Sequence, residues 1–252
     1  MTITPGSQND PRYWVVIPAA GTGSRMQADR PKQYLTLGQR TIIEHTLERL
    51  SSHPAISGIV VAIAQDDLYW NDAFNNQISD LIKLPVETVI GGDERSVSVT
   101  NALDALLAGS LSFKAKADDW VLVHDAARPC VTTDDIEFLI SSLVNNPVGG
   151  LLGIPVADTL KRIDAHQQVQ QTVSRERLWR ALTPQMFRLG LLQQALCDVK
   201  AKGLAVTDDA SAMELAGYSP RMVCGNEQNI KITRPQDLQL AALYLQDQEK
   251  AG

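Results

Sequence analysis

A short pattern, repeated along the first 156 residues, constrains this chain most. Trp14-Val15-Val16-Ile17, Ile59-Val60-Val61-Ala62-Ile63, Val86-Glu87-Thr88-Val89-Ile90, Trp120-Val121-Leu122-Val123 and Leu151 to Val156 are brief, mostly apolar runs that stop abruptly. Runs of this length and composition read as buried strands. Helical patterns separate them. Thr41-Ile42-Ile43-Glu44 has the form of a capping box, followed by Ile43, Leu47 and Leu50 on one face. Ser96 to Leu107 and Ile136 to Val144 are further helical stretches. Strands alternating with helices imply an α/β fold with a Rossmann-like, mostly parallel sheet covered by helices on both faces. The chain has 252 residues and 44% hydrophobic content, enough for one large domain with a substantial core. We expect a flexible stretch over residues 1–12 and a single domain over 13–252.

The alternation breaks at Ala157. From there to Arg177 the chain is polar, and Thr159–Ile163 and Val169–Val173 can pair around Asp164–Gln168. Such a segment lacks the apolar content to fold alone. It reads as a projecting β-arm over about 155–177 that packs on a partner, with a solvated hairpin of no further role as the other reading. Helices are expected over Leu189–Lys202 and Ala210–Ala216, and a closing helix runs from Pro235 to about Gln246. Val223 and Ile230-Lys231-Ile232 are short strand candidates.

Charge and cysteine usage exclude several classes. Lys plus Arg number 23 against 29 Asp plus Glu, a net charge of −6. That argues against nucleic-acid binding by overall positive charge. Cys130, Cys197 and Cys224 lie far apart with no Cys-x-x-Cys spacing, and the histidines do not cluster, so thiolate zinc sites and a disulfide scaffold are not expected. Residues 1–12 lack the apolar run of a signal peptide, and no stretch reaches the ~18 apolar residues of a membrane span. The expectation is a cytoplasmic protein that engages neither membrane nor nucleic acid.

In open α/β sheets, ligands bind beyond the carboxyl ends of strands. Four segments invite attention there. Pro18-Ala19-Ala20-Gly21-Thr22-Gly23-Ser24-Arg25, with Pro31-Lys32-Gln33-Tyr34 beyond, joins small residues to two cations. Successive N–H groups in such a loop can cradle phosphate. It is not the dinucleotide fingerprint, because Met26 takes the third glycine's place, and no Gly-Lys-Ser/Thr follows to make a P-loop. Gly91-Gly92-Asp93-Glu94-Arg95-Ser96-Val97-Ser98 offers a backbone surface for a flat ring, or simply an ordinary strand-to-helix turn. His124-Asp125-Ala126-Ala127-Arg128-Pro129 places a carboxylate suited to magnesium or a hydroxyl, and an Arg fork suited to phosphate, unless the two only pair with each other. His124 reads as structural. In Asn229-Ile230-Lys231-Ile232, a charge between apolar residues is costly unless an anion relieves it or the side chain reaches solvent. The inventory is rich in cations and lacks a Ser/His or Cys/His nucleophile. That suits phosphoryl or nucleotidyl transfer.

The segments PAAGTGSRM, PKQYL, GGDERSVSV, HDAARPCV, PVADTLKR, LTPQMF, TDDASAMEL and NIKITRPQDL occur in this order from residue 18 to about 238. Together they resemble the 2-C-methyl-D-erythritol 4-phosphate cytidylyltransferase family. The resemblance implies a nucleotide-diphospho-sugar transferase type of fold. It also implies transfer of the cytidylyl group of CTP to methylerythritol 4-phosphate, with release of pyrophosphate, assisted by Mg²⁺ or another divalent cation. By position, Ala19, Ala20, Gly21, Thr22, Gly23, Gly92, Asp93 and Ser98 match the CTP contacts. Arg25, Lys32, Arg175 and Lys231 match catalytic positions, and Asp125, Arg128, Thr159, Thr183 and Thr207 match substrate contacts, with Asp125 also a metal ligand. The family pattern further implies a homodimer whose arm carries Thr159 and Arg175 into the neighbouring site. Gln228 departs from the pattern, which has Asp there in close relatives. A ribitol 5-phosphate cytidylyltransferase, a non-catalytic nucleotide-binding module and, more distantly, an NAD-dependent oxidoreductase are the other readings.

Overall fold

The computed structural model describes residues 11–21, 26 and 29–251. The chain runs β1 (Tyr13–Pro18), a short 3₁₀ turn (Lys32–Tyr34), a small hairpin β2 (Thr36–Leu37) and β3 (Arg40–Thr41), α1 (Ile42–Ser51), β4 (Ile56–Ile63), α2 (Asp72–Leu81), β5 (Val86–Ile90) and α3 (Arg95–Ala108). It continues through β6 (Trp120–Val123), α4 (Thr133–Leu143), β7 (Gly149–Pro155), β8 (Leu160–Ile163), β9 (Val169–Val173), β10 (Trp179–Arg188), α5 (Leu189–Ala201), α6 (Asp209–Leu215), β11 (Arg221–Cys224) and α7 (Pro235–Ala251).

The central sheet has the order β11-β7-β10-β6-β1-β4-β5. β1 pairs in parallel with β4 and β6, β4 with β5, and β7 with β11. Strand side chains alternate between faces, and β1 shows what this does here. Val15 and Ile17 enter one apolar cluster with α1, α4 and Ile78 of α2, while Trp14 and Val16 enter another with α3, α5 and α6. Helices therefore cover both faces, as the alternating pattern implies. A third cluster seats α7 against Ile42, Ala127 and Cys130.

The helix ends follow their sequences. Thr41 caps α1 in the expected capping box with Glu44, and Thr132 does the same for α4 with Asp135. α3 ends at Gly109 with φ of 67°, a left-handed cap that favours glycine.

Three elements differ from the sequence reading. β10 is antiparallel to both β6 and β7 and lies in the middle of the sheet. Its register shifts between Ala181 and Gln185, which hides its alternation. α2 shows a single buried side chain, Ile78, too thin a stripe to read. Ile230–Ile232 is a loop, not a strand: Ile232 N–H donates to the Ala127 carbonyl at 2.9 Å and docks the loop on the third strand end. The arm is as expected in form. β8 and β9 pair antiparallel with each other as a separate two-stranded sheet. Among the described residues, no helix is long and apolar enough to cross a membrane.

Candidate active site

A cleft of about 300 Å³ opens at the carboxyl ends of β1, β5 and β6. It collects expected residues from all four segments: Ala19, Ala20 and Gly21; Lys32; Gly92, Asp93 and Ser98; Asp125; and Lys231. Thr22, Gly23 and Arg25 lie outside the described residues.

The glycine-rich loop and the Pro-Lys-Gln segment are held together by Gln33. Its buried amide Nε2 donates to the Ala19 carbonyl at 2.7 Å. This bond ties the Lys32 segment to the end of β1 beside the cleft. The second segment needs its glycines for close approach. A Cβ on Gly91 would lie 2.7 Å from both Ala20 Cβ and Ser98 Oγ, and one on Gly92 would lie 2.3 Å from a Val97 methyl. Ser98 Oγ accepts the Gly92 N–H at 3.1 Å, so the turn is closed across its own mouth.

Asp125 organises the floor. Its Oδ1 meets Arg95 Nε at 3.3 Å, and its Oδ2 meets Lys231 Nζ at 2.8 Å and Arg128 Nε at 3.4 Å. Burial pushes this carboxyl up, but the charges of Arg95, Lys231 and Arg128 outweigh burial and hold it well below the usual carboxylate range. Lys231 is therefore not an unpaired charge in an apolar strand, as its neighbours suggested. The Arg128 fork is also engaged within the subunit, since its Nη1 donates to the Asn229 carbonyl at 2.7 Å.

His124 locks this floor from beneath. It is fully buried, and Nε2 lies 3.1 Å from the Arg128 carbonyl, which can only accept. Nε2 therefore carries the proton and Nδ1 is bare. The Thr183 hydroxyl, 3.1 Å away, donates to Nδ1 and at the same time accepts the Asp125 N–H at 3.1 Å. Burial lowers the His124 pKa to about 4, so the ring is neutral at ordinary pH.

The remaining expected residues lie elsewhere. Thr207 is exposed beside a small hollow lined by Arg95 and Asp209. Thr159 and Arg175 are exposed on the arm and do not line the cleft, and the Arg175 guanidinium donates to the Ala157 carbonyl. Arg95, Gln33 and Asp209 are parts of the site that motif reading passed over. The usable signal was Arg95 itself, a cation at the first position of a helix, where the macrodipole disfavours it.

The pattern of the 2-C-methyl-D-erythritol 4-phosphate cytidylyltransferase family matches residues 13–247. The chain belongs to this family. A member from Pseudomonas fluorescens is 52% identical over 229 residues, spanning 91% of this chain and 94% of the relative. Among solved structures, a 4-diphosphocytidyl-2C-methyl-D-erythritol synthase superposes with a TM-score of 0.79 at 35% identity, covering 94% of this chain and 99% of that one. A family member from Francisella tularensis superposes with a TM-score of 0.75 at 37% identity, covering 92% and 99%.

Proposed function

We propose that this chain transfers the cytidylyl group of CTP to 2-C-methyl-D-erythritol 4-phosphate, giving 4-diphosphocytidyl-2-C-methyl-D-erythritol and pyrophosphate. Family membership supports the reaction. The observation that carries its placement is the convergence of Lys32, Gly92, Asp125 and Lys231 in one cleft. The acceptor phosphate is already anionic and needs no strong general base. The barrier lies in bringing two anions together and in releasing pyrophosphate, so fixed positive charge is the main catalytic need.

In this reading the backbone of residues 19–23 wraps the triphosphate, and Arg25 and Lys32 stabilise charge at the α-phosphate. Gly92, Asp93 and Ser98 receive the cytidine. Lys231 and Arg175 orient the acceptor phosphate for in-line attack, with Arg128, Thr159, Thr183 and Thr207 on the acceptor side. Arg128 and Thr183 work there by fixing Asp125. Thr159 and Arg175 reach the site from a partner. Their exposure supports this, as do Ile163, Val169, Leu178 and Trp179, large apolar residues left exposed on or beside the arm. The active unit is then a homodimer with exchanged arms, working in the cytoplasm.

A divalent cation, Mg²⁺ or another, fits one part of this donor set. No group of three or more His, Cys, Asp or Glu among the described residues could hold a metal alone. Magnesium commonly takes one or two carboxylates and completes its shell with phosphates and water. Asp125, ionised and lining the cleft, would take that role by releasing an oxygen now held by Arg95 or by Lys231 and Arg128. When bound, the ion neutralises phosphate oxygens and eases departure of pyrophosphate.

The test is pyrophosphate release from CTP and Mg²⁺ with methylerythritol 4-phosphate or ribitol 5-phosphate as acceptor. Release with the first alone is expected. Release with the second alone would replace the acceptor, and CTP binding without release would favour a nucleotide-binding module.

A further inference from the structure

Asp209 is 1% exposed, and a carboxylate is among the costliest groups to bury without a partner. Its Oδ2 accepts from Arg95 Nη2 at 2.8 Å, while its Oδ1 has no hydrogen-bond partner among the described residues. Burial pushes this carboxyl above its usual range, with the charge of Arg95 pulling the other way. Packing does not call for an acid there. The neighbouring Ala210, Ala212 and Met213 all enter an apolar cluster. What the acid does hold is Arg95.

Arg95 needs holding. It opens α3, where the positive end of the helix repels a cation, whereas Asp209 opens α6, where an anion is favoured. The pair therefore ties two helix starts together at the floor of the cleft. The anchor is rigid. Gln185 of β10 donates Nε2 to Asp208 Oδ2 at 2.8 Å and accepts the Ala210 N–H at 2.8 Å, which brackets Asp209 from both sides. Asp208 also caps α6 through a capping box with Ser211. From this fixed point Arg95 reaches Asp125 Oδ1 with Nε at 3.3 Å. Oδ2 of Asp125 is left to Lys231 and Arg128.

We propose that Asp209 is a positioning residue for the acceptor side of the reaction. It holds Arg95 so that Asp125 keeps one oxygen on Arg95 and presents the other to Lys231. This rests on the reading above that Lys231 orients the acceptor phosphate and that Asp125 is fixed on the acceptor side. Without Asp209, Arg95 has no second carboxylate to set its orientation, and both Asp125 and Lys231 gain freedom.

The test is a double-mutant cycle of Asp209→Asn and Arg95→Gln, with Asp209→Ala as a second variant, read by steady-state kinetics for both substrates and by melting. Asp209→Asn is expected to lower kcat/KM for the acceptor roughly tenfold, to leave KM for CTP unchanged, and to add nothing in the Arg95→Gln background. Effects that add in full, equal losses for both substrates, or no loss would overturn the proposal. So would failure of both Asp209 variants to melt cooperatively while Arg95→Gln does. A second readout does not need turnover: the Arg95 Nε–H NMR signal should be sharp and slow to exchange in the wild-type chain and lost in Asp209→Asn. Its persistence would overturn the proposal. A wild-type chain that releases no pyrophosphate would refute the proposed reaction, and the NMR arm would still decide whether Asp209 holds Arg95.

Discussion

The cleft floor and the arm both carry cations expected to meet the acceptor phosphate, yet they are built in opposite ways. On the floor, Arg95, Arg128 and Lys231 all meet one buried carboxylate, Asp125, and the buried ring of His124 fixes the backbone around it. On the arm, Arg175 is exposed and holds a backbone carbonyl, while Ile163 and Val169 are 51% and 62% exposed. The floor is organised within one subunit before any ligand arrives. The arm carries the same kind of charge on a hairpin whose strands, among the described residues, pair only with each other. Charge that must be placed accurately is preorganised by burial and pairing. Charge that completes a site can be delivered on an exposed element.

That contrast can be broken experimentally. Asp125→Asn removes the anion common to three buried or half-buried cations, and breaking such a cluster costs about 3–5 kcal/mol. Denaturant melts should show that loss, together with loss of turnover; an unchanged melt would mean that the floor is not preorganised by charge. Lys32→Ala removes transition-state stabilisation and should lower kcat by about 10²–10³, equivalent to about 3–4 kcal/mol, with the melt preserved. Near-normal kcat would remove Lys32 from the chemistry.

Acidification probes the layer beneath. The His124 pKa falls to about 4 in the fold, and the ring faces Asp125, Arg128 and Arg95. A base whose pKa is depressed on folding contributes stability that is present above its unfolded value and is lost as pH falls. Stability should therefore decline between about pH 6.5 and pH 4, by on the order of 3 kcal/mol at the lower end. His124→Gln should flatten that decline, and a decline of unchanged depth in the variant would assign it to other groups. The smallest effect belongs to the arm. Arg175→Ala should raise KM for the acceptor roughly ten- to a hundredfold through a lost charged hydrogen bond, while leaving KM for CTP and the melt unchanged. A shifted melt would mean that the arm is built like the floor.

Much of this was legible in the residues. Strands such as β1 and β6 are uniformly apolar because both sheet faces are covered, and the Thr41–Glu44 capping box marks the start of α1. β10 was not legible, because its register shift interrupts the alternation and its antiparallel placement follows from tertiary pairing with β6 and β7. The loop at Ile230–Ile232 imitates a strand since both isoleucines pack on α7's cluster while Lys231 turns to Asp125. In the site, motifs identified which segments converge. They did not reveal that Arg128 and Lys231 are both committed to Asp125, or that Arg95 reaches Asp209 across 114 residues, because pairings that distant leave no local pattern.

The most direct measurement mixes two variants at acceptor concentrations well below the wild-type KM, where each alone is nearly inactive. Lys32→Ala spoils the cleft and Arg175→Ala spoils the arm, so a mixed dimer with exchanged arms contains one site with both intact. Co-refolding the two in equal amounts should restore about a quarter of wild-type turnover, since half the dimers are mixed and each has one good site of two. Turnover no higher than the average of the two variants alone would contradict a site completed by the partner's arm.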